Sequence, residues 1–131
     1  PGYRVRAATL DFLPACTDLC LNVHGHDRHG ELAHAISAGT ARIVEHGDRI
    51  TGYATDIGFF SHAVGQTNDA LKALIGAAPA FAGPGFLLPT RNAELLRWCL
   101  THGLRVVQPM TLMSRGLYQK PAGAFLPSVL Y

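Results

Sequence analysis

The chain has 131 residues, of which 48% are hydrophobic and 15% charged, with a formal net charge of +2. That length and apolar content predict one domain, residues 1–131, with a sizeable core; the weak charge argues against a nucleic-acid partner, and no apolar run reaches the roughly 20 residues of a membrane span. Three cysteines cannot all pair and no signal-peptide pattern opens the chain, so a reduced, cytoplasmic protein is expected.

Pro1 is not a natural start, which implies either a removed initiator Met or a piece of a longer protein. Tyr3 to Thr9 alternates Tyr3, Val5 and Ala7 against Arg4 and Arg6, the period of a half-buried strand. Thr9 or Asp11 then caps a helix with Pro14 in its first turn and Leu13, Cys16, Leu19, Cys20 and Val23 as its inward stripe. His24 to Gly30 interrupts this helix, and a second is predicted over Glu31 to Ala38, stopped by Gly39. Ala41 to Glu45 and Arg49 to Asp56 read as strands of a hairpin turning at His46-Gly47-Asp48.

Gly58 to Val64 is predicted as a further strand, and Thr67 or Asn68 caps a helix whose apolar face is Leu71, Leu74 and Ile75. After a loop over Ala78 to Gly85, the segment Phe86-Leu87-Leu88 reads as a short strand. The run from Pro89 to Leu104 is a capped helix with Leu95, Leu96, Cys99 and Leu100 on its apolar face and Gly103 at its stop. Leu104 to Leu112 is predicted as a strand marked by Pro109, and the tail from Gly116 to Tyr131 is too apolar for a solvated linker, so it should dock on the domain or on a partner.

This order resembles the GNAT superfamily of acyl-CoA-dependent N-acyltransferases, and two local patterns carry the likeness. Arg49-Ile50-Thr51-Gly52-Tyr53-Ala54 is similar to that superfamily's third strand, and Asn92, Leu95, Cys99, Gly103 and Leu104 follow the frame of its last core helix. The resemblance implies an α/β fold of the α+β type, a mixed, mostly antiparallel central sheet with helices on both faces. It also implies acetyl transfer to an amine by direct attack on the thioester of acetyl-CoA, a co-substrate held in a V between the fourth and fifth strands. The implied acceptor is a small-molecule amine or an amino-acid-like compound, and a homodimer or a tandem partner domain is the implied association.

Two departures stand beside the matches. Cys99 occupies the position of the superfamily's Tyr, a frequent acid toward the leaving thiolate, so Cys99 inherits that role as a candidate although a buried core thiol is the plainer reading. The expected pyrophosphate loop is His62-Ala63-Val64-Gly65-Gln66-Thr67-Asn68-Asp69, with one glycine and a carboxylate in the first helical turn. Ala63, Val64, Gly65, Gln66 and Thr67, with Asn92, are the cofactor-binding positions the resemblance implies.

For the proton that an ammonium must lose before it attacks, two histidines are candidates. His26 lies in His24-Gly25-His26-Asp27-Arg28-His29, the densest polar cluster, which reads as a solvated loop, as an acceptor-side base, or as part of a metal site that no second cluster completes; no metal is expected. His62 sits where the resembling fold cleaves its thioester, against the plainer reading of a paired strand histidine. Ser114 and Ser128 lack any Gly-x-Ser-x-Gly elbow, which excludes a serine hydrolase. A non-catalytic reading stands alongside: a GNAT-like module that lost its phosphate loop and serves dimerisation or substrate shaping in a larger acetyltransferase.

Overall fold

The computed structural model describes residues 2–24, 28–111, 113, 115 and 122–128. In chain order the elements are β1 (Tyr3–Ala7), a 3-10 turn (Leu10–Phe12), α1 (Leu13–His24), α2 (His29–Ala38), β2 (Arg42–His46) and β3 (Arg49–Ala54). They continue with β4 (Ala63–Gly65), α3 (Asn68–Ala77), α4 (Ala93–Thr101) and β5 (Ala124–Leu126). The five strands form one sheet in the order β1-β2-β3-β4-β5, every neighbouring pair antiparallel.

Period-two alternation sorts the strand residues onto two faces. Ile43, Tyr53 and Val64 point to one side, where α1 supplies Cys16, Leu19, Cys20 and Val23 and α2 supplies Leu32 and Ala35. Their neighbours Val44, Ala54 and Ala63 point to the other, against Ala70, Leu71, Leu74 and Ile75 of α3 and Leu95 and Cys99 of α4. Helices thus cover both faces of an antiparallel sheet.

A β-bulge between Val44 and Glu45 shifts the register of the β2–β3 hairpin, and the Thr51 carbonyl accepts the Gln66 amide at 2.8 Å. That bond fixes the turn from β4 into α3. α4 ends in a Schellman motif: the Leu104 amide donates to Cys99 O at 3.1 Å and the Gly103 amide to Leu100 O at 3.4 Å, with Gly103 at φ 88°.

Three expected strands are altered. Of Gly58 to Val64 only the end pairs, because the segment first turns at Gly58–Ser61 and bridges to Ala82. Phe86-Leu87-Leu88 makes no ladder; Phe86 and Leu88 instead pack on the α3/α4 core, with the Phe81 and Phe86 rings edge-to-face at 5.0 Å. Residues 104–111 are unpaired, and Val106, Val107 and Met110 are 62%, 71% and 55% exposed. Pro109 removes a ladder donor there, and the edge of β4 is already occupied by β5.

The tail supplies that strand. Ala122 donates its amide to Val23 O at 2.8 Å, taking one of the orphan carbonyls at the end of α1. Gly123 lies so close that an added Cβ would stand 2.9 Å from Val23 Cγ2 and 3.1 Å from Gly65 O. Beyond it Phe125 pairs with Val64, and Leu126 enters the α3/α4 core.

Candidate active site

A chain of polar side chains crosses the α1/α2 face at the head of β4. Arg28 is the N-cap of α2, and its guanidinium, 3% exposed, forks onto Glu31 one turn later. Nε and Nη2 donate to Oε1 at 3.0 and 2.9 Å, and Nη2 donates to Oε2 at 2.7 Å. A carboxylate in the first turn of a helix is also favoured by the helix dipole. From Glu31 the chain turns inward, with Oε2 at 3.3 Å from Nδ1 of the fully buried His62.

His62 Nε2 lies 2.9 Å from the Tyr53 hydroxyl, and the two rings meet edge-on at 5.4 Å. The backbone of His62 is clamped by Thr55: the His62 amide donates to Thr55 Oγ1 at 3.1 Å, and the Thr55 amide donates to His62 O at 2.9 Å. Tyr53 is equally buried, and burial, followed by its hydrogen bond with Cys20, pushes its pKa well above the usual phenol range. Chemically this is a carboxylate, an imidazole and a phenol in series, with a guanidinium fixing the carboxylate.

The other expected site residues fall in different surroundings. Cys99 is buried on the opposite face of the sheet, so the fold does not bring it to His62, and burial raises its thiol pKa, making it a weaker proton donor. His26 lies outside the described residues. Asn92 caps α4, accepting from the Leu95 amide at 3.4 Å, and exchanges two side-chain hydrogen bonds with Asn68 at 2.8 and 3.0 Å. Its amide therefore ties α3 to α4.

Ala63, Val64 and Gly65 are β4 itself, buried and paired on both edges. A Cβ on Gly65 would meet Thr67 O at 3.0 Å and Ala70 Cβ at 3.2 Å, so this glycine is needed for the close approach of α3 to the sheet. Gln66 and Thr67 are exposed at the start of α3, and Thr67 makes no side-chain capping bond. The Gln66 amide is already given to the Thr51 carbonyl, so a phosphate at this turn is left with the amides of the first turn of α3, and the β4 edge beside them carries β5.

Arg28, Glu31 and Tyr53 were not legible as site residues. An Arg and Glu three apart at a helix start look like a solvated pair, and Tyr53 looks like core. Among the described residues no group of His, Cys, Asp or Glu is arranged to hold a metal ion, and no helix is long and apolar enough to cross a membrane. A cleft of about 310 Å³ between Arg42, Asp56 and Phe81 includes none of the Arg28–Tyr53 chain.

Two solved structures share this fold. A GNAT-family acetyltransferase from Bacillus cereus ATCC 10987 superposes with a TM-score of 0.59 over 95% of this chain and 94% of that one, at 14% identity. The fold is GNAT-like. A point mutant of TTHA1254 from Thermus thermophilus superposes with a TM-score of 0.55 over 89% of this chain and 99% of that one, at 20% identity. No family model and no curated relative matches the chain. At these identities the likeness is one of fold, and the GNAT-like sheet places the Arg28–Tyr53 chain at the head of β4.

Proposed function

We propose that this chain is an acyl-CoA-dependent N-acyltransferase that moves an acetyl group from coenzyme A to an amine by direct attack on the thioester. The observation that carries this is the Glu31–His62 pair, a carboxylate and an imidazole 3.3 Å apart at the head of β4 in a GNAT-like fold. Only a neutral amine attacks a thioester, and an imidazole tuned near neutrality is a suitable proton acceptor. The exposed turn Gln66–Thr67 at the start of α3 is the position for the phosphates, and amides of Ala63–Gly65 are those that would polarise the acyl carbonyl. Holding the two reactants together supplies most of the rate.

The acceptor is a small-molecule amine or an amino-acid-like compound. Cys16, Cys20 and Cys99 are all thiols, in keeping with action in the reducing cytoplasm. Acyl transfer requires β5 to yield the edge of β4 as the thioester enters, and that pairing favours a second reading. In it the chain is a non-catalytic GNAT-like module, closed by its own tail, that serves as a dimerisation or substrate-shaping domain.

Calorimetry of acetyl-CoA with the unsubstituted chain separates the two. Heat of binding at micromolar concentration supports the enzyme, and no uptake at millimolar cofactor supports the module. For residue roles, His62→Ala or His26→Ala should flatten the alkaline-rising limb of the pH–rate profile, and an unchanged profile removes that residue as base.

A further inference from the structure

We propose that the cleft between Arg42, Asp56 and Phe81 is a binding site for a small zwitterion, an amino acid with an aliphatic side chain, whose carboxylate meets Arg42 and whose ammonium meets Asp56. The site is separate from the groups of the transfer proposed above and does not depend on them. It opens at the C-terminal end of α3, a helix of ten residues, and so stands about 15 Å from the Gln66–Thr67 turn at the other end. Its apolar floor of Ala54, Ile57 and Leu74 belongs to the α3/α4 side of the sheet, across from Tyr53 and the His62 ring that contacts it.

The walls are held by backbone bonds. Residues 78–82 leave α3 in extended conformation and are tied to the segment after β3: the Ala82 amide donates to Ile57 O at 2.9 Å, and the Phe59 amide donates to Ala82 O at 3.2 Å. This docking needs a glycine at Gly58, because a Cβ there would stand 2.6 Å from both Ala82 Cβ and Ala82 O. Phe81 then forms one apolar wall, and the alanines on either side of Pro79 leave the space in front of it open. The volume, about 310 Å³, lies at the lower end of the roughly 300–1,000 Å³ of small-molecule pockets.

Two opposite charges line this cleft without neutralising each other. Alternation along β2 puts Arg42 on the side of Val44, and it stands opposite Ala54 in the ladder. Arg42 Nη1 donates to Gly39 O at 3.2 Å and Ala41 O at 3.1 Å, which fixes the guanidinium and leaves Nε and Nη2 with no acceptor among the described residues. Asp56 Oδ1 accepts the Ile57 amide at 2.8 Å, and Oδ2 has no donor among the described residues. Both side chains are half-buried, yet no ion pair joins them. A guanidinium fork and a carboxylate oxygen are therefore both open to a ligand.

A ligand with one charge would satisfy one of these groups and meet the other with like sign. A zwitterion satisfies both, since a carboxylate matches the Arg42 fork and an ammonium matches the acceptor-only Asp56. The end of α3 reinforces the second contact. Its last carbonyls lack intrahelical donors, and its last turn holds no basic residue to offset their partial negative charge, so a cation is favoured there. Between the two charged contacts the lining is apolar, with Ile57 and Leu74 buried beneath it and Phe81 beside it, which suits an aliphatic side chain.

Amide NMR shifts of the full chain, with no coenzyme present, test this with three compounds of one skeleton: leucine, isocaproate, which lacks the amine, and isoamylamine, which lacks the carboxylate. Leucine should move the amides of Ile57, Phe81 and Ala82 with a dissociation constant of roughly 1 mM. Each relative that has lost a charge should bind about tenfold more weakly or worse, the worth of a hydrogen bond to a charged group. Asp56→Asn keeps an oxygen for the Ile57 amide and removes the charge. Leucine should bind that variant about tenfold more weakly, and isocaproate no worse than before.

No shift of Ile57, Phe81 or Ala82 with leucine at about 20 mM, well above that constant, overturns the site, as do shifts confined to the Gln66–Thr67 turn. Equal binding of the three compounds, or unchanged leucine affinity in Asp56→Asn, overturns the zwitterion. Where Asp56→Asn fails to fold, the comparison of the three compounds on the unsubstituted chain decides. None of these outcomes touches the transferase function, which calorimetry of acetyl-CoA tests separately.

Discussion

The two faces of one sheet differ in what they bury. On the α3/α4 side alternate strand residues meet an apolar layer of Leu71, Leu74, Ile75 and Leu95, and polar contacts such as the Asn68–Asn92 clasp and the Lys72–Glu94 pair tie the two helices together. The α1/α2 side buries Arg28, His62 and Tyr53 among its aliphatic residues. Burying a guanidinium and an imidazole costs desolvation energy that well-packed hydrophobic residues would avoid. One face therefore holds the sheet, and the other carries polar groups that stability alone does not require.

That contrast makes quantitative claims. Leu71→Ala, in the fully buried centre of the α3 face, should lower unfolding free energy by about 3 kcal/mol in urea titration while leaving the midpoint of the His62 ring titration, read by NMR, in place. Movement of that midpoint would mean that the faces are not independent. Gly123→Val should cost about 2 kcal/mol, because the new side chain must displace Val23 or the Gly65 carbonyl, and should loosen β5. Amide exchange at β4 would report that loosening, and unchanged protection of Val64 would refute it.

Asn92→Ala removes a helix cap and the Asn68 clasp together, for an expected loss of about 1–2 kcal/mol with acetyl-CoA affinity unaltered. A selective loss of coenzyme affinity at unchanged stability would assign Asn92 to the cofactor site. The smallest effect belongs to Glu94, whose carboxyl is held below its usual range chiefly by the Lys72 ammonium. A lowered carboxylate pKa contributes stability above the ordinary Glu range that is lost as pH falls through the lowered value. Glu94→Gln should therefore reduce the melting temperature slightly at neutral pH and low salt and not at all in strong acid; equal reductions at both would exclude the ion pair as the cause.

The helices were legible because their apolar spacing and stops are local: Leu71, Leu74 and Ile75 share a face, and Gly103 stops α4 in the left-handed conformation. The β2–β3 hairpin was legible for the same reason. Strand partners were not. Val106 and Val107 have strand-forming side chains, but pairing depends on which edge is vacant, and the tail fills it. His62 was visible as a candidate, whereas its partners Glu31 and Tyr53 come from elements that only the fold brings together.

The pairing of β4 with β5 closes a loop of about sixty residues, the longest-range strand pairing in this sheet, widest at Ala63 and Leu126. Contacts of such separation form late, after the β2–β3 hairpin and the helices have settled. Until the tail arrives, β4 presents an open row of amides and carbonyls beside apolar side chains, the condition under which another chain can add its own strand. Refolding yield should therefore fall with protein concentration, and the step that sets it is the seating of β5.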